Sequence, residues 1–305
     1  MPGPEMIDQP TTAARLPFPA LIEALRAAFV TGAEVPLRHR HALAEANGTL
    51  LLMPAWQGAN SFGVKIVSVW PDNGARGLNA VSSTYLLCDG ATGQHRAIID
   101  GNELTARRTA AASALAGDYL ARKAASRLLV VGAGHVAAML VPAWAAVRPI
   151  RQIAVWNRTP AGAARLVAEL RAAGFAAHPA ADLRAAVAAA DIVSCATLAV
   201  TPLIEGAWLQ PGQHLDLIGA YRPDMREADR AAVRRARVFI DTDAALAEAG
   251  DLTQAAPVAV QGSLFTLCRG ETPGRVGDAE ITLFKSVGSA IEDLAAAELV
   301  ARPPP

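Results

Sequence analysis

The chain has 305 residues, in which 28 lysines and arginines balance 28 aspartates and glutamates. This even balance supplies neither a basic stripe for a phosphate backbone nor a polybasic segment for a membrane surface, so nucleic acid and membranes are excluded as expected partners. Hydrophobic residues make up 52% of the chain and charged residues 18%. That composition excludes intrinsic disorder for the whole chain and allows a large buried core.

The three cysteines, Cys88, Cys195 and Cys268, lie far apart in the sequence and form no CxxC pair. This spacing argues against a zinc site and against a disulfide scaffold, and we expect no metal. The segment MPGPEMIDQPTT has no basic region followed by an apolar run, so no secretory signal is visible. We therefore expect a cytoplasmic protein.

The amino-terminal third predicts a small mixed sheet flanked by helices. Leu21, Ile22, Leu25 and Phe29 follow helical spacing, which predicts an amphipathic helix over 18–29. An alanine-rich helix is predicted over 105–125. Between them, turn clusters separate short β-favouring runs at residues 49–53, 63–69, 81–88 and 96–99.

Residues 128–147 carry no formal charge and are long enough to span a bilayer. The run opens with β-favouring residues, breaks at Gly132, Gly134 and His135, and continues with a helical pattern, so we interpret it as a buried strand, a tight turn and a packed helix. Strands are predicted at 128–131, 153–156, 192–196, 214–218, 238–241 and 281–284, and a last helix at 289–300. This alternation predicts an α/β fold, a Rossmann-type doubly wound parallel sheet domain beside a smaller α+β domain.

A dinucleotide fingerprint follows the first of these strands. Gly132 permits the tight turn, Gly134 lets the backbone approach a pyrophosphate, and the small Ala137 allows the helix to pack close to the strand. The start of the helix, at His135 and Val136, supplies N–H groups and a positive dipole for phosphate oxygens. We expect a nicotinamide dinucleotide here.

The end of the next strand indicates which dinucleotide binds. An NAD site usually places an acid there for the ribose 2′-hydroxyl, whereas this strand ends in Asn157, Arg158 and Thr159. A guanidinium beside an amide and a hydroxyl suits a 2′-phosphate. The sequence therefore favours NADP(H), with NAD(H) as the alternative.

Three cations occur in apolar or β-rich settings in the first half of the chain: Arg38, Lys65 and Arg108. Lys65 stands within Gly63-Val64-Lys65-Ile66-Val67, where strand alternation turns it either to solvent or toward an anion. A carboxylate is the anion we expect. Taken singly, each cation is more often a surface residue whose stem packs on apolar neighbours.

Seven stretches spread over nearly the whole chain have a recognisable order: 52–54 (LMP), 63–67 (GVKIV), 104–111 (LTARRTAA), 131–134 (VGAG), 190–193 (ADIV), 226–227 (RE) and 281–288 (ITLFKSVG). In this order they resemble the ornithine cyclodeaminase/μ-crystallin family. The resemblance implies a homodimer with a substrate-binding and dimerisation domain, residues 1–118 joined by the carboxy-terminal helix 288–305, and a cofactor domain, residues 119–287.

The resemblance also implies roles for individual residues. Arg38, Lys65 and Arg108 match positions that bind the substrate carboxylate, and Thr109 matches a cofactor phosphate contact. The expected cofactor contacts further include Ala196 and Thr197 and the turn Ser286, Val287 and Gly288, which the resemblance places near the nicotinamide. Family members share imine chemistry at an α-carbon.

The sequence departs from the cyclodeaminases at two positions. Aligned on a shared proline and glutamate, Tyr221 stands where a cyclodeaminase has the aspartate that handles the substrate amine, and Leu51 stands where it has a glutamate. A diamine substrate brings two cationic nitrogens, and burying one without a carboxylate is costly. The sequence therefore looks more like the imine-reducing branch.

The leading hypothesis is an NAD(P)H-dependent reductase of a cyclic ketimine carboxylate, Δ1-pyrroline-2-carboxylate or Δ1-piperideine-2-carboxylate. Lys65, Tyr221 or a water would protonate the imine nitrogen, and the sequence does not choose among them. Ornithine cyclodeaminase is the second hypothesis. A non-catalytic protein that binds NADPH and a small ligand, as the crystallin relatives suggest, is the third.

Overall fold

The computed structural model describes residues 3–302. The strands are β1 Glu5–Ile7, β2 His39–Leu43, β3 Gly48–Gln57, β4 Ser61–Val69, β5 Val81–Asp89, β6 His95–Asp100, β7 Arg127–Val131, β8 Gln152–Trp156, β9 Ala177–Pro179, β10 Ile192–Cys195, β11 His214–Leu217, β12 Arg237–Ile240, β13 Val260–Ser263 and β14 Thr282–Lys285. The α-helices are α1 Gln9–Arg15, α2 Phe18–Thr31, α3 Gly101–Leu120, α4 His135–Ala145, α5 Pro160–Ala172, α6 Leu183–Ala189, α7 Arg230–Arg235, α8 Ala245–Glu248, α9 Gly250–Thr253, α10 Leu264–Cys268 and α11 Ala290–Val300.

The chain divides into two compact units. The first unit comprises the chain up to Arg108 together with the segment that begins at Ser289, and the second comprises Thr109–Gly288. The division falls within α3, earlier than the boundary expected at residues 118/119. That helix begins before the predicted start at residue 105, because the Asp100 side chain accepts the N–H of Glu103 at 2.8 Å and caps the first turn.

The first unit is built on a six-stranded sheet in the order β1-β6-β5-β4-β3-β2, in which only the β1–β6 pair is parallel. Residues alternate between buried and outward-facing along β4: Gly63, Lys65 and Val67 are buried, while Phe62 and Ile66 are exposed. Helix α11 packs against β3, β4 and β5, and α2 packs against α11. One face of the sheet is therefore covered by a helix that comes from the end of the chain.

The second unit is built on an eight-stranded sheet in the order β9-β8-β7-β10-β11-β14-β12-β13, with every neighbouring pair parallel. Every residue of β10, β11 and β14 is buried, as a sheet covered on both faces requires. The chain runs outward from β7 to β9 and then returns to β10 on the other side of β7. This reversal, where α/β sheets bind their ligands, confirms the predicted Rossmann-type fold.

The apolar run at residues 128–147 forms most of β7, a glycine turn and α4. All four residues of β7 after Arg127 are buried, and so are Leu140, Val141 and Trp144 on α4. The run is therefore part of the core of the second unit. Within residues 3–302, no helix combines the length and the hydropathy needed to span a membrane.

Candidate active site

Lys65 lies in the middle of β4, on the face of the sheet that α11 covers, and the residue is only 2% exposed. The anion that it meets belongs to the chain itself. Its Nζ lies 2.9 Å from Oδ1 and 2.7 Å from Oδ2 of Asp293, which is on α11. The strand alternation that left two directions open for Lys65 is thus resolved toward the interior.

Arg108, near the middle of α3, binds the same carboxylate. Its Nε donates to Asp293 Oδ1 at 2.7 Å, and its Nη1 donates to Glu292 Oε2 at 2.7 Å. Asp293 Oδ1 therefore accepts from both Lys65 and Arg108. Both carboxylate side chains are fully buried, so the four groups form one buried ionic cluster. We call Lys65, Arg108, Glu292 and Asp293 the cation cluster.

The charges in this cluster act on one another. Burial lowers the pKa of Lys65 to about 8, and the charges of Arg108 and Arg38 add to this effect while Asp293 opposes it. Burial alone would raise the pKa of Asp293, but Arg108 and Lys65 outweigh it and hold that pKa below its ordinary range. Arg38 is half-buried just before β2. The structure thus brings the three predicted cations into one neighbourhood.

Sequence reasoning missed Glu292 and Asp293. The available signal was an adjacent acidic pair in α11, whose remaining residues are almost all apolar. Aspartate and glutamate are rarely buried without a partner, so such a pair in a core helix indicates a buried cation nearby.

In the second unit, the turn after β7 has the geometry that a dinucleotide requires. Gly132 has a φ of +115°, and a Cβ there would lie 2.6 Å from the carbonyl oxygen of Ala196. A Cβ at Gly134 would meet nothing within 4 Å. Gly134 is the N-cap of α4 and has no side chain that could accept the first-turn N–H groups. Open space beside these donors fits the phosphates of a dinucleotide.

The predicted 2′-phosphate residues follow β8, at the same edge of the sheet. Asn157 is half-buried and donates to Thr159 Oγ1 at 2.8 Å, while Arg158 and Thr159 are exposed. A further guanidinium, which sequence reasoning did not single out, comes from α5: Arg165 Nη2 donates to the carbonyl oxygen of Ala133 in the glycine turn, at 2.7 Å. Two exposed arginines therefore stand at this end of the glycine turn.

The turn at Ser286, Val287 and Gly288 is held by a single carboxylate. Asp241 Oδ2, directly after β12, accepts from Ser286 Oγ at 2.9 Å and from the N–H groups of Val287 at 2.8 Å and Gly288 at 2.7 Å. Gly288 has a φ of +76°. Asp241 was not among the predicted site residues, and it fixes the conformation of a turn that was.

A second buried carboxylate ties together the loops after β10 and β11. Glu227 Oε1 accepts from the N–H and the hydroxyl of Thr197 at 2.7 and 2.9 Å, and Oε2 accepts from the N–H of Gly219 at 2.8 Å. Asp251 in turn accepts the N–H of Glu227 at 2.7 Å, and Lys285 Nζ lies 2.9 Å from Asp251 Oδ2. Burial raises the pKa of Glu227, and the charge of Lys285 opposes that rise.

The remaining predicted residues occupy separate places. Ala196 follows β10, and its N–H donates to the carbonyl oxygen of Val131 at the end of β7, at 2.9 Å. Tyr221 is half-buried against the apolar core of the second unit. Thr109 is buried on α3 directly after Arg108. Among residues 3–302, no cluster of three or more histidine, cysteine or acidic side chains could hold a metal ion.

Comparisons with known proteins agree with this architecture. The sequence model of the ornithine cyclodeaminase/mu-crystallin family matches residues 7–302. The chain is 39% identical over 310 residues to the Δ1-pyrroline-2-carboxylate reductase of Paracoccus denitrificans, which covers 98% of this chain and 97% of the relative. It is 31% identical over 271 residues to the ketimine reductase mu-crystallin of Rattus norvegicus, covering 88% and 85% of the two chains.

A solved structure is similar over nearly the full length. The Δ1-pyrroline-2-carboxylate reductase of Thermococcus litoralis, in complex with NADH and L-proline, matches with a TM-score of 0.92 and 32% sequence identity. The match covers 97% of this chain and 96% of that chain.

Proposed function

Because the chain belongs to the ornithine cyclodeaminase/mu-crystallin family, we propose that it is an NAD(P)H-dependent reductase of a cyclic ketimine carboxylate, such as Δ1-pyrroline-2-carboxylate or Δ1-piperideine-2-carboxylate. The observation that carries the proposal is the buried pair Lys65 and Arg108, two cations that are held side by side on the Asp293 carboxylate in the first unit. The relatives named as pyrroline-carboxylate and ketimine reductases support the same reaction class.

A bound reduced nicotinamide supplies a hydride to the imine carbon, while the imine nitrogen takes a proton, so that C=N becomes CH–NH. The substrate carboxylate binds to Arg38, Lys65 and Arg108, whose guanidinium and ammonium groups match it in charge and donors. Holding the substrate in one orientation is the main contribution of these residues. The N–H groups at the start of α4 would hold the dinucleotide phosphates.

The proton comes from Lys65 or Tyr221 in this proposal. Lys65 is favoured because burial lowers its pKa to about 8, near the pH at which a general acid is both protonated and able to release its proton. Tyr221 is the alternative because it stands in the loop after β11, two residues beyond Gly219, which Glu227 anchors.

NADP(H) is the preferred cofactor in this proposal. Arg158 is exposed directly after β8, where an NAD site usually has an acid, and Asn157 and Thr159 flank it. Arg165, which reaches the glycine turn from α5 and also pairs with Glu169, places a second guanidinium there. Two guanidinium groups favour a 2′-phosphate over a 2′-hydroxyl.

A homodimer is also part of the proposal. Phe62 is 39% exposed and Ile66 is 40% exposed on the face of β4 that α11 does not cover. Leu43 on β2 is 41% exposed, and the strand register places it on the same face as Ile66. A sheet face with this many accessible apolar side chains fits the surface of a second copy of the chain.

A cytoplasmic location fits the cysteines. Cys88 is a buried thiol in the first unit and Cys195 a buried thiol in the second. Buried thiols without disulfide chemistry are typical of reducing compartments.

The experiment is a turnover panel. Purified protein is given NADPH or NADH with Δ1-pyrroline-2-carboxylate, Δ1-piperideine-2-carboxylate, or pyruvate plus an amine, and NAD(P)⁺ with ornithine. Loss of absorbance at the reduced nicotinamide band with a cyclic imine supports the proposal. Ammonia and proline from ornithine would instead establish a cyclodeaminase, and tight NADPH binding without turnover of any substrate would indicate a binding protein.

A further inference from the structure

The cation cluster has an unusual feature for a group of residues that binds an anion: it already contains two carboxylates, those of Glu292 and Asp293. Asp293 lies on α11, and both Lys65 on β4 and Arg108 on α3 are directed at its carboxylate, with distances of 2.7 to 2.9 Å. The side chains of Lys65 and Arg108 are 3% and 6% exposed, and that of Asp293 is fully buried. Three separate elements therefore meet at one carboxylate.

Two cations so close together repel each other. The charge of Arg108 lowers the pKa of Lys65, as does that of Arg38, whereas the charge of Asp293 raises it. Without Asp293, burial and both arginines would drive Lys65 toward its neutral form, which binds a carboxylate poorly. Tyr85, the cross-strand neighbour of Lys65 on β5, contributes a buried hydroxyl whose pKa is raised, so it adds no compensating charge near neutral pH.

We propose that Asp293 is a positioning residue for the substrate: its carboxylate fixes the Lys65 ammonium and the Arg108 guanidinium beside each other, so that a substrate carboxylate meets an assembled pair of cations. This inference rests on the proposed function. Arg108 has five N–H donors, of which Nε and Nη1 are engaged by Asp293 and Glu292, and lysine has three. Donor capacity for a ligand thus remains after the internal pairs are made.

Glu292 is expected to play a narrower part. It accepts from Arg108 Nη1 at 2.7 Å, whereas the carboxylate that binds Lys65 is that of Asp293. A change at Glu292 therefore removes a partner of Arg108 and leaves the direct pair of Lys65 and Asp293 in place. This difference supplies a control on the same helix, one residue away.

The test measures the affinity for pyrrole-2-carboxylate, a planar carboxylate probe, by calorimetry in the presence of NADP⁺ from about pH 6 to pH 10. In the wild-type protein the affinity should fall as the pH rises through about 8, where Lys65 loses its proton. In Asp293→Asn this fall should move to lower pH by about one unit or more. In Glu292→Gln the affinity should be weaker, and the pH of this fall should move less than in Asp293→Asn, because the carboxylate that binds Lys65 is still in place.

Several results would overturn the inference. One is a folded Asp293→Asn protein whose affinity for the probe falls at the same pH as that of the wild type. Another is an equal displacement of this fall in affinity in Glu292→Gln and Asp293→Asn. A third is a wild-type protein that does not bind the probe. If Asp293→Asn does not fold, Lys65→Arg is the test variant. Because arginine keeps its charge, the fall in probe affinity near pH 8 should vanish. Persistence of that fall in Lys65→Arg contradicts the inference. Probe binding without imine turnover would contradict the proposed function alone.

Discussion

The two glycines of the turn after β7 differ in what a methyl group would meet. At Gly132 it would enter a φ of +115° and lie 2.6 Å from a carbonyl oxygen of the neighbouring loop, whereas at Gly134 it would stand in open space. Gly132 is thus required by the fold. Gly134 is required only if a ligand approaches the backbone there.

We expect Gly132→Ala to destabilise the protein by about 1 to 3 kcal/mol, because the backbone is strained for any residue with a Cβ. Gly134→Ala should leave the melting temperature nearly unchanged and weaken cofactor binding by about tenfold or more, since the methyl group occupies the approach of the pyrophosphate. Thermal melting and NADPH fluorescence titration measure the two effects. Wild-type affinity in Gly134→Ala would show that the open space is not the phosphate site.

Arg158 carries the expected preference for NADP(H). In Arg158→Ala, kcat/KM with NADPH should fall by about tenfold or more, which corresponds to about 1.4 kcal/mol, while kcat/KM with NADH should change little. Arg151→Ala is the matched control, because Arg151 is an exposed arginine just before the opposite end of β8. An equal loss with both cofactors would refute a contact between Arg158 and the 2′-phosphate.

At the scale of elements, one buried carboxylate joins α3 to the sheet of the second unit. Asp216 on β11 is fully buried and accepts from Ser113 Oγ on α3, at 2.8 Å to Oδ2, and from Ser194 Oγ on β10. Burial raises the pKa of Asp216 to about 6, against the two hydroxyl bonds that lower it. The folded protein therefore binds a proton at Asp216 more tightly than the unfolded chain does.

The sign of the resulting pH dependence follows from linkage. A carboxyl whose pKa is raised by folding favours the folded state below its ordinary pKa of 3.8 and loses this contribution as the pH rises through about 6. Asparagine has no such proton. The unfolding free energy of Asp216→Asn relative to the wild type should rise between pH 4 and pH 8 by up to about 3 kcal/mol, measured by chemical denaturation.

Asp118 provides a control of opposite sign. Burial raises its pKa, but the bonds from Arg148 and Lys123 outweigh this effect and lower the pKa to about 2. Asp118→Asn should therefore lose stability relative to the wild type as the pH rises from about 2 to 5. If Asp216→Asn followed the same trend as Asp118→Asn, Asp216 would be ionised at all these pH values and the account of its burial would be wrong.

The strands that were predicted from the sequence and those that were missed differ in their position in the sheets. The four missed strands, β1, β2, β9 and β13, are the edge strands of the two sheets. Edge strands are short and half-solvated, so they carry no run of buried residues for a periodicity to reveal. The central strands were predicted to within a few residues, because each has an apolar run or a clear alternation.

At the scale of the whole molecule, features formed by neighbouring residues could be predicted from the sequence, and contacts between distant residues could not. The glycine turn and the Asn157-Arg158-Thr159 segment are local patterns, and the strand and helix beside each were readable from the same few residues. Lys65 and its partner Asp293 are 228 positions apart in the sequence. No local sequence pattern connects them, because they come together only when α11 packs against the first sheet. Asp241 and Glu227, whose carboxylates anchor loops of the second unit, were given no role at the predicted site, because partners of these carboxylates lie 8 to 47 positions away.

The exposed apolar face of the six-stranded sheet is the surface at which we expect two copies of the chain to associate. Phe62→Glu puts a charge on the exposed apolar face of the six-stranded sheet, and we expect it to shift the protein from dimer to monomer in sedimentation velocity. Val276→Glu makes the same kind of change at a residue that is 66% exposed in the second unit, and it should leave the dimer intact. A Phe62→Glu protein that sediments like the wild type would place the interface elsewhere.

The most direct test of the imine-reductase account follows the hydride itself. Δ1-Pyrroline-2-carboxylate is incubated with NADPH or NADH that carries deuterium at the transferable C4 position, and the product is examined by mass spectrometry and NMR. Hydride transfer from the cofactor to the imine carbon should give proline with one deuterium at Cα, formed in equal amount to the oxidised cofactor. Proline without deuterium, or oxidation of the cofactor without proline, would contradict it.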